Sequence, residues 1–267
     1  MRRLFAFTLL LAAAAGAGAC AARGLQLPSG EGEVLAEYQR AFDDASRGCR
    51  GVRSLSAELA ISGRAGGERL RGRVLAGIAA PGRLRLEAAA PFGPPVFILV
   101  DSGTSATLLL PRDNRVLTGE STSAILGALV GLELGADDLL AILSGCVVPS
   151  PEASAGRRYP SGWVRIDLAG GAAAYFSREA QGWRIRAGVR PGLAIEYELA
   201  GGMGVSRVRL QVAAIGGAPA SDVRISLSQV ETNPQLGPEV FAVKVPRDAR
   251  PITLAEVRGV GPVGEKR

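Results

Sequence analysis

Two periodicities divide this chain. Between Glu31 and Arg47 the apolar residues Val34, Leu35, Tyr38, Phe42 and Ala45 recur near helical spacing, with Glu33, Glu37, Arg40, Asp43 and Asp44 mostly opposite, which predicts an amphipathic helix. The period then falls to two. Leu55, Ala57, Leu59 and Ile61 alternate with smaller or polar residues, "GRAGGE" turns the chain, and Leu70, Val74, Ala76 and Ile78 line one side of the next run. Pro81-Gly82 introduces Leu84 and Leu86, alternating with Arg83, Arg85 and Glu87. Further strands are expected at 96–100, 106–110 and 115–118, as an antiparallel meander.

From Thr122 to Leu143 the spacing is helical again, interrupted by Gly131 and Gly135, and this is the most apolar part of the chain after its first residues. Its place between two strand regions predicts a helical cover on a sheet. A Pro/Ser-rich loop is expected at 149–161. Alternation resumes at 163–168, 172–177, 183–187, 193–199, 205–212, 223–230 and 241–245, and the end of the chain after Pro246 reads as a flexible tail with at most a short helix at Thr253 to Arg258. A sheet this wide with one apolar face must curl or stack, since strongly twisted open sheets rarely exceed about ten strands flat. The expected class is therefore mainly β with helices (α+β): a curved half-barrel closed by helices.

The first residues place the chain in a compartment. Arg2 and Arg3 precede "LFAFTLLLAAAA", an apolar run too short to span a bilayer comfortably, so residues 1–19 read as a secretory signal. "AGAC" follows, similar to the bacterial lipobox, in which Cys20 is lipidated and becomes the mature N-terminus; Ala17 stands where Leu is usual. An ordinary signal peptide with Cys20 incidental is the alternative. Ala21 after the cysteine, rather than Asp, fits outer-membrane residence under familiar sorting rules. The expected organisation is a signal at 1–19, an anchored linker at 20–32, one domain at 33–246 and a tail at 247–267.

With Cys20 assigned to lipid, Cys49 and Cys146 remain as an even pair where disulfides are permitted. They are expected to bridge; two buried free thiols are the other reading. Loss of Arg2 and Arg3 with the signal lowers the net charge from +6 to +4. Nearly every cation is Arg, scattered along alternating segments such as "RLRLE" and "SRVRLQV", which describes a solvated sheet face and not a nucleic-acid groove. No histidine is present, removing Ser-His-Asp and Cys-His arrangements and the common zinc sets. "GVGPVG" at 259–264 matches a dinucleotide-binding glycine pattern in form only, because Pro262 and the missing helix contradict its context. We expect no enzyme, metal or cofactor.

One turn stands out. "EAAAPFGPPVFIL", residues 87–99, sets Phe92 between Pro91 and Gly93, with Pro94 and Pro95 following, so a large apolar side chain sits at the tip of a stiff surface turn. Either Phe92 protrudes or it folds back over the sheet edge. Taken with "ILGALVGLELGADDLLAILSG" and "GWRIRAGVRPG", this order of segments over residues 33–230 resembles the LolB-like outer-membrane lipoprotein receptors of the LolA/LolB/LppX-like superfamily. The resemblance implies a strongly curved open antiparallel sheet of about eleven strands, wide enough to curl, with helices plugging its concave side.

The resemblance also implies transport: an apolar concavity that takes acyl chains of lipoproteins from a periplasmic carrier, and release into the inner leaflet of the outer membrane. Its protruding apolar residue, in an Asn-Pro-Leu-Gly turn, falls on Phe92, making that residue a membrane-insertion loop here; Ala90 replaces the Asn and Phe92 the Leu. Strand alternation and helix phase place Leu55, Leu59, Ile61, Val74, Leu84, Leu86, Ile125, Leu129, Leu139 and Leu143 toward the cavity. The expected protein is a periplasm-facing monomer that does not bind nucleic acid. A carrier or sensor of another lipid, and a structural lipoprotein whose concavity is filled, are the alternatives. The cysteine pair and the segment "ETNPQLGPEVFAVKVP" depart from the LolB pattern.

Overall fold

A computed structural model of the chain describes residues 26–180, 182–201, 204–212 and 221–259. Cys20 and the signal segment lie outside them. A single sheet of fifteen strands, numbered in chain order, organises these residues; from one edge to the other it runs β1 (Glu33–Val34), then the strands at 153–158, 163–168, 172–179, 182–190, 193–199, 205–212, 221–232, 54–65, 68–79, 83–89, 97–102, 106–110 and 115–120, and last β15 (Arg250–Pro251). Helix α1 (Tyr38–Arg50) comes first. A six-strand meander follows: β2 (Ser54–Ala65), β3 (Glu68–Ala79), β4 (Arg83–Ala89), β5 (Phe97–Ser102), β6 (Ala106–Leu110) and β7 (Arg115–Glu120). After helices α2 (Thr122–Val130) and α3 (Ala136–Ser144) comes a second meander. It comprises β8 (Ala153–Arg158), β9 (Trp163–Leu168), β10 (Ala172–Glu179), β11 (Gly182–Arg190), β12 (Leu193–Leu199), β13 (Val205–Val212) and β14 (Ser221–Thr232). β14 then returns to pair with β2, Ile225 opposite Ile61 and Leu227 opposite Leu59, joining the two meanders.

This order explains where α2 and α3 must go. They connect β7, beside one edge of the sheet, to β8, beside the other, so the chain has to cross a whole face. It crosses the apolar one: Ile125, Leu129, Leu139, Ile142 and Leu143 share a core with Leu59, Val74, Leu86, Leu210 and Ile225. Burial of that face drives the curl, because one row of helices covers so wide a sheet only if the sheet wraps around it. Register shifts assist at Ala106/Thr107, Tyr175/Phe176, Glu198/Leu199 and Ser228/Glu231, where an extra residue bends and twists a strand.

Local signals set the helix limits. Ser121 Oγ accepts a hydrogen bond from the Ala124 amide at 3.1 Å, starting α2, and Gly131 ends it at φ 67, a left-handed conformation that glycine adopts without a Cβ penalty. Two carboxylates fix the start of α3. Asp137 accepts from the Gly82 amide at 3.0 Å, and Asp138 accepts from the Gly135 amide at 3.0 Å while pairing with Arg190 of β11 at 2.7 Å. The other end is covalent, since Cys146 is bonded to Cys49 near the end of α1, closing a sequence separation of 97 residues. Thus α3 is tied to both meanders and to α1.

Four expectations are corrected. The first helix starts at Tyr38 and not near Glu31, because β1 (Glu33–Val34) pairs with β8 and the Leu35 amide donates to the Gly156 carbonyl. Gly156 lets α1 approach: a Cβ there would stand 2.3 Å from that of Tyr38. Secondly, the 149–161 loop contains β8, which is held by backbone pairing with β9 and needs no apolar alternation. Thirdly, 241–245 is not a strand. A 3-10 turn at Pro238–Phe241 lies over the convex face of β4 and β5, where Arg85 donates to the carbonyls of Val240 and Ala242, and the Arg83 guanidinium sits 5.1 Å from the centre of the buried Phe241 ring.

The fourth correction concerns the tail. The short helix expected at 253–258 is present as α4 (Leu254–Gly259), but as far as residue 259 the segment is packed and not free: β15 (Arg250–Pro251) adds to β7 in parallel and α4 packs against α2, with Ile252 and Val257 in the core. A few apolar residues were enough to anchor it. The sheet also has fifteen strands instead of about eleven, two of them being the two-residue edge pieces β1 and β15. The fold class stands: a single, large, open and curved sheet, antiparallel except at β15, with few helices.

Candidate functional site

Between α2, α3 and the strands β13, β14, β2, β3 and β4 the core is not filled. A cavity of about 830 Å³ opens there, within the range of about 300–1,000 Å³ usual for small-molecule sites. Inward positions of the strands supply one wall, including Leu59, Ile61, Leu70, Val74, Leu86, Leu210, Val223 and Ile225. The helices supply the other, through Leu126, Leu129, Leu139 and Leu143. The lining is mainly aliphatic, with Ser62, Ser226, Arg71, Arg73 and Arg112 as its polar members, so an alkyl chain gains contact along most of it.

The helical wall follows from sequence spacing. Leu126 and Leu129 are three apart on α2, and Leu139 and Leu143 are four apart on α3, so each pair lies on one helix face. Between the helices, "GLELG" adds Leu132 and Leu134 to the lining. On the strands, alternation sends Leu59 and Ile61 inward while Glu58 faces out, where it pairs with Arg73 at 2.7 Å. The outward side of the second meander is ionic instead: Arg209 makes two hydrogen bonds to Asp222, at 2.8 and 2.7 Å, and these hold the Asp222 carboxyl below the usual carboxylate range.

Of the ten positions expected to face the cavity, Leu59, Ile61, Val74, Leu86, Leu129, Leu139 and Leu143 line it. Leu55, Leu84 and Ile125 do not. They are at most 1% exposed and lie in solid core. Periodicity identifies the side that a residue faces but not whether space remains beyond it. Missed by the sequence reading were Leu70 and Ile78 on β3, Leu126, Leu132 and Leu134 on the cover, and Leu210, Val223 and Ile225 on β13 and β14; the return of β14 to β2, which brings the last three here, has no local signal.

At the opening the lining passes into Ala89, Ala90 and Pro91, then Val96 and Phe97. The turn between β4 and β5 thus begins at the cavity's rim, and Phe92 at its tip is 89% exposed, the most exposed of the large apolar residues described. It protrudes and does not fold back. Gly93 has φ 78, and the carbonyls of Phe92 and Pro94 accept hydrogen bonds from Arg112 Nη2 and Nε at 3.0 and 3.3 Å, so the bend is braced from the neighbouring β6–β7 turn.

Cys49 and Cys146 are bonded, as expected. They border a second, more polar depression of about 730 Å³ with Arg50, Arg53, Asp137, Ser144 and Glu152 around it. On the convex side, Leu27 packs on a small cluster with Trp163, Tyr175 and Ala187, so the chain enters the domain over β9–β11. Among the described residues no helix is long and apolar enough to cross a membrane.

Fold and cavity together define an open half-barrel wrapped around an aliphatic pocket. No protein-family profile and no curated protein sequence matches the chain. Solved structures similar to it include a LolA superfamily protein from Nitrosomonas europaea, at TM-score 0.42 and 11% identity over 77% of this chain and 97% of that one. A DUF1329 family protein from Desulfovibrio piger gives 0.39 and 14% over 76% and 96%. The Mycobacterium tuberculosis lipoprotein LppX gives 0.32 and 11% over 74% and 96%.

Proposed function

We propose that this chain is a non-enzymatic, lipid-anchored protein facing the periplasm, which takes acyl chains of lipoproteins into its cavity and passes them to the outer membrane in the manner of LolB-like receptors. The observation that carries this reading is the aliphatic cavity of about 830 Å³ with an exposed phenylalanine projecting from its rim. A filled structural core would need neither. Cys20 is the anchor in this account, seven residues before Leu27, so an extended linker reaches at most about 23 Å and keeps the body beside the bilayer. Several acyl chains on one cysteine give a durable anchor, because each buried CH₂ adds about 0.8 kcal/mol.

Phe92 then has a limited and specific task. Moving its ring from water into hydrocarbon gains about 1.5–3 kcal/mol, too little to hold a protein at a membrane but enough to orient one already tethered. Phe92→Glu is therefore expected to leave melting temperature and cargo uptake unchanged and to slow transfer of a bound acyl peptide into liposomes by about tenfold or more, the equivalent of losing roughly that free energy. Phe92→Leu should be nearly neutral. If Phe92→Glu lowers the melting temperature while transfer per folded molecule is unchanged, the tip is a structural turn and the delivery role is lost.

A further inference from the structure

The rim of the cavity carries charge of one sign. Among the described lining residues there is no Asp or Glu, whereas Arg71, Arg73 and Arg112 all border the opening. Arg71 and Arg73 alternate with Leu70 and Val74 along β3, which directs their side chains to the convex face, and Arg73 is already paired with Glu58. Arg112 remains as the cation at the mouth. Two of its N–H groups are taken by the carbonyls of Phe92 and Pro94, and among the described residues it has no ion pair with a carboxylate. A guanidinium has five donors in a planar fork, so Arg112 keeps donors for an incoming anion while its other contacts hold it in place.

From this arrangement we infer that the cavity selects anionic amphiphiles: the alkyl chain occupies the aliphatic space, and a carboxylate or phosphate head meets the Arg112 guanidinium at the rim. The inference rests on the lipid-binding part of the reading above and not on lipoproteins as cargo, whose acylated cysteine carries no carboxylate or phosphate head. Arg112 is exposed, so a negative head gains there only what a surface charge pair with hydrogen bonds supplies, and a neutral head of equal chain length lacks that gain. Arg112, on the β6–β7 turn, braces the β4–β5 turn that carries Phe92, so the same rim that meets a membrane also reads the headgroup. The carboxylate and phosphate cases correspond to different sources, a free fatty acid and a phosphate-headed lipid.

The test is displacement of a neutral fluorescent alkyl probe from the full chain by oleate, oleyl phosphate and oleyl alcohol, which share one alkyl chain. A charge pair at an exposed guanidinium supports an expectation that one or both anions bind about two- to fivefold more tightly than the alcohol. Arg112→Gln should bring that ratio close to one, and Arg112→Lys should keep part of it. Because the ratio is read within each variant, a loosened turn that weakens all three ligands alike does not disturb it. Whichever of oleate and oleyl phosphate binds more tightly identifies the head. An anion-to-alcohol ratio near one in the wild type, or a ratio that survives Arg112→Gln, overturns the headgroup inference while leaving the lipid-binding reading in place. Failure of all three ligands to bind overturns both.

Discussion

Arginine in place of Leu139 is expected to abolish uptake of a fluorescent fatty acid, a loss of more than about a hundredfold, in a protein that still folds. Leu139 lies on α3, faces the cavity and is 8% exposed. An arginine there has two choices, and both exclude an acyl chain. Extended into the cavity, it occupies the space and leaves a charge in aliphatic surroundings, which costs several kcal/mol unless it is hydrated. Turned toward the opening, it lays its stem along the lining and brings water with its head. The fold survives because the open rim gives the head a route to solvent. Leu84 supplies the contrast: it is fully buried and does not border the cavity, so Leu84→Ala should cost about 2–5 kcal/mol of stability and leave fatty-acid binding in the surviving folded protein unchanged. Circular dichroism melts beside a fluorescence titration separate the two behaviours. Equal loss of binding in both variants, tracking stability, would mean that the cavity is no binding site.

The second large effect belongs to the disulfide. Replacing Cys49 and Cys146 together by serine releases a cross-link over a separation of 97 residues, for which the chain-entropy argument gives about 4–5 kcal/mol. For a domain of this size that corresponds to a fall in melting temperature of roughly 8–20 °C. Ligand binding should weaken too, since the bond holds the end of α3, and Leu139 and Leu143 of that helix form part of the cavity wall. Reduction of the wild-type protein should reproduce the shift. A melting curve indifferent to reductant would show that the ion pair of Asp138 with Arg190 and the Asp137 contact with Gly82 suffice to hold α3.

How much of this was legible before any coordinates depended on how local the cause was. β13 at Val205–Val212 and β12 at Leu193–Leu199 agree with the expected ranges because alternation is written in consecutive side chains. Helices α2 and α3 were legible for the same reason, with Gly131 and Gly135 marking the break between them. β8 was not, because its "ASAGRR" has no apolar face and its pairing is decided by the backbones of β1 and β9. Nor was the packing of the chain's end, although its short helix was expected: Ile252 and Val257 are buried and Leu254 lies half-buried against the core, too few apolar positions to make a pattern. Phe92 could be singled out from its proline frame. Arg112 could not, since its partners are carbonyls eighteen and twenty residues back, on a turn that only the pairing of β5 with β6 brings near.

The cavity itself falls between these cases. Seven of the ten expected positions line it, while others, such as Leu70, Leu126 and Leu210, were not foreseen, and its emptiness is a property of packing at the junction of β14 with β2 that no periodicity reports. Direct detection of an occupant therefore tests the account most closely. Native mass spectrometry of the unanchored Cys20→Ala protein, purified without detergent, should show the polypeptide carrying an additional noncovalent acyl-bearing mass that is released on unfolding, and added oleate should replace it. A bare polypeptide mass that takes up no oleate under the same conditions would contradict the account.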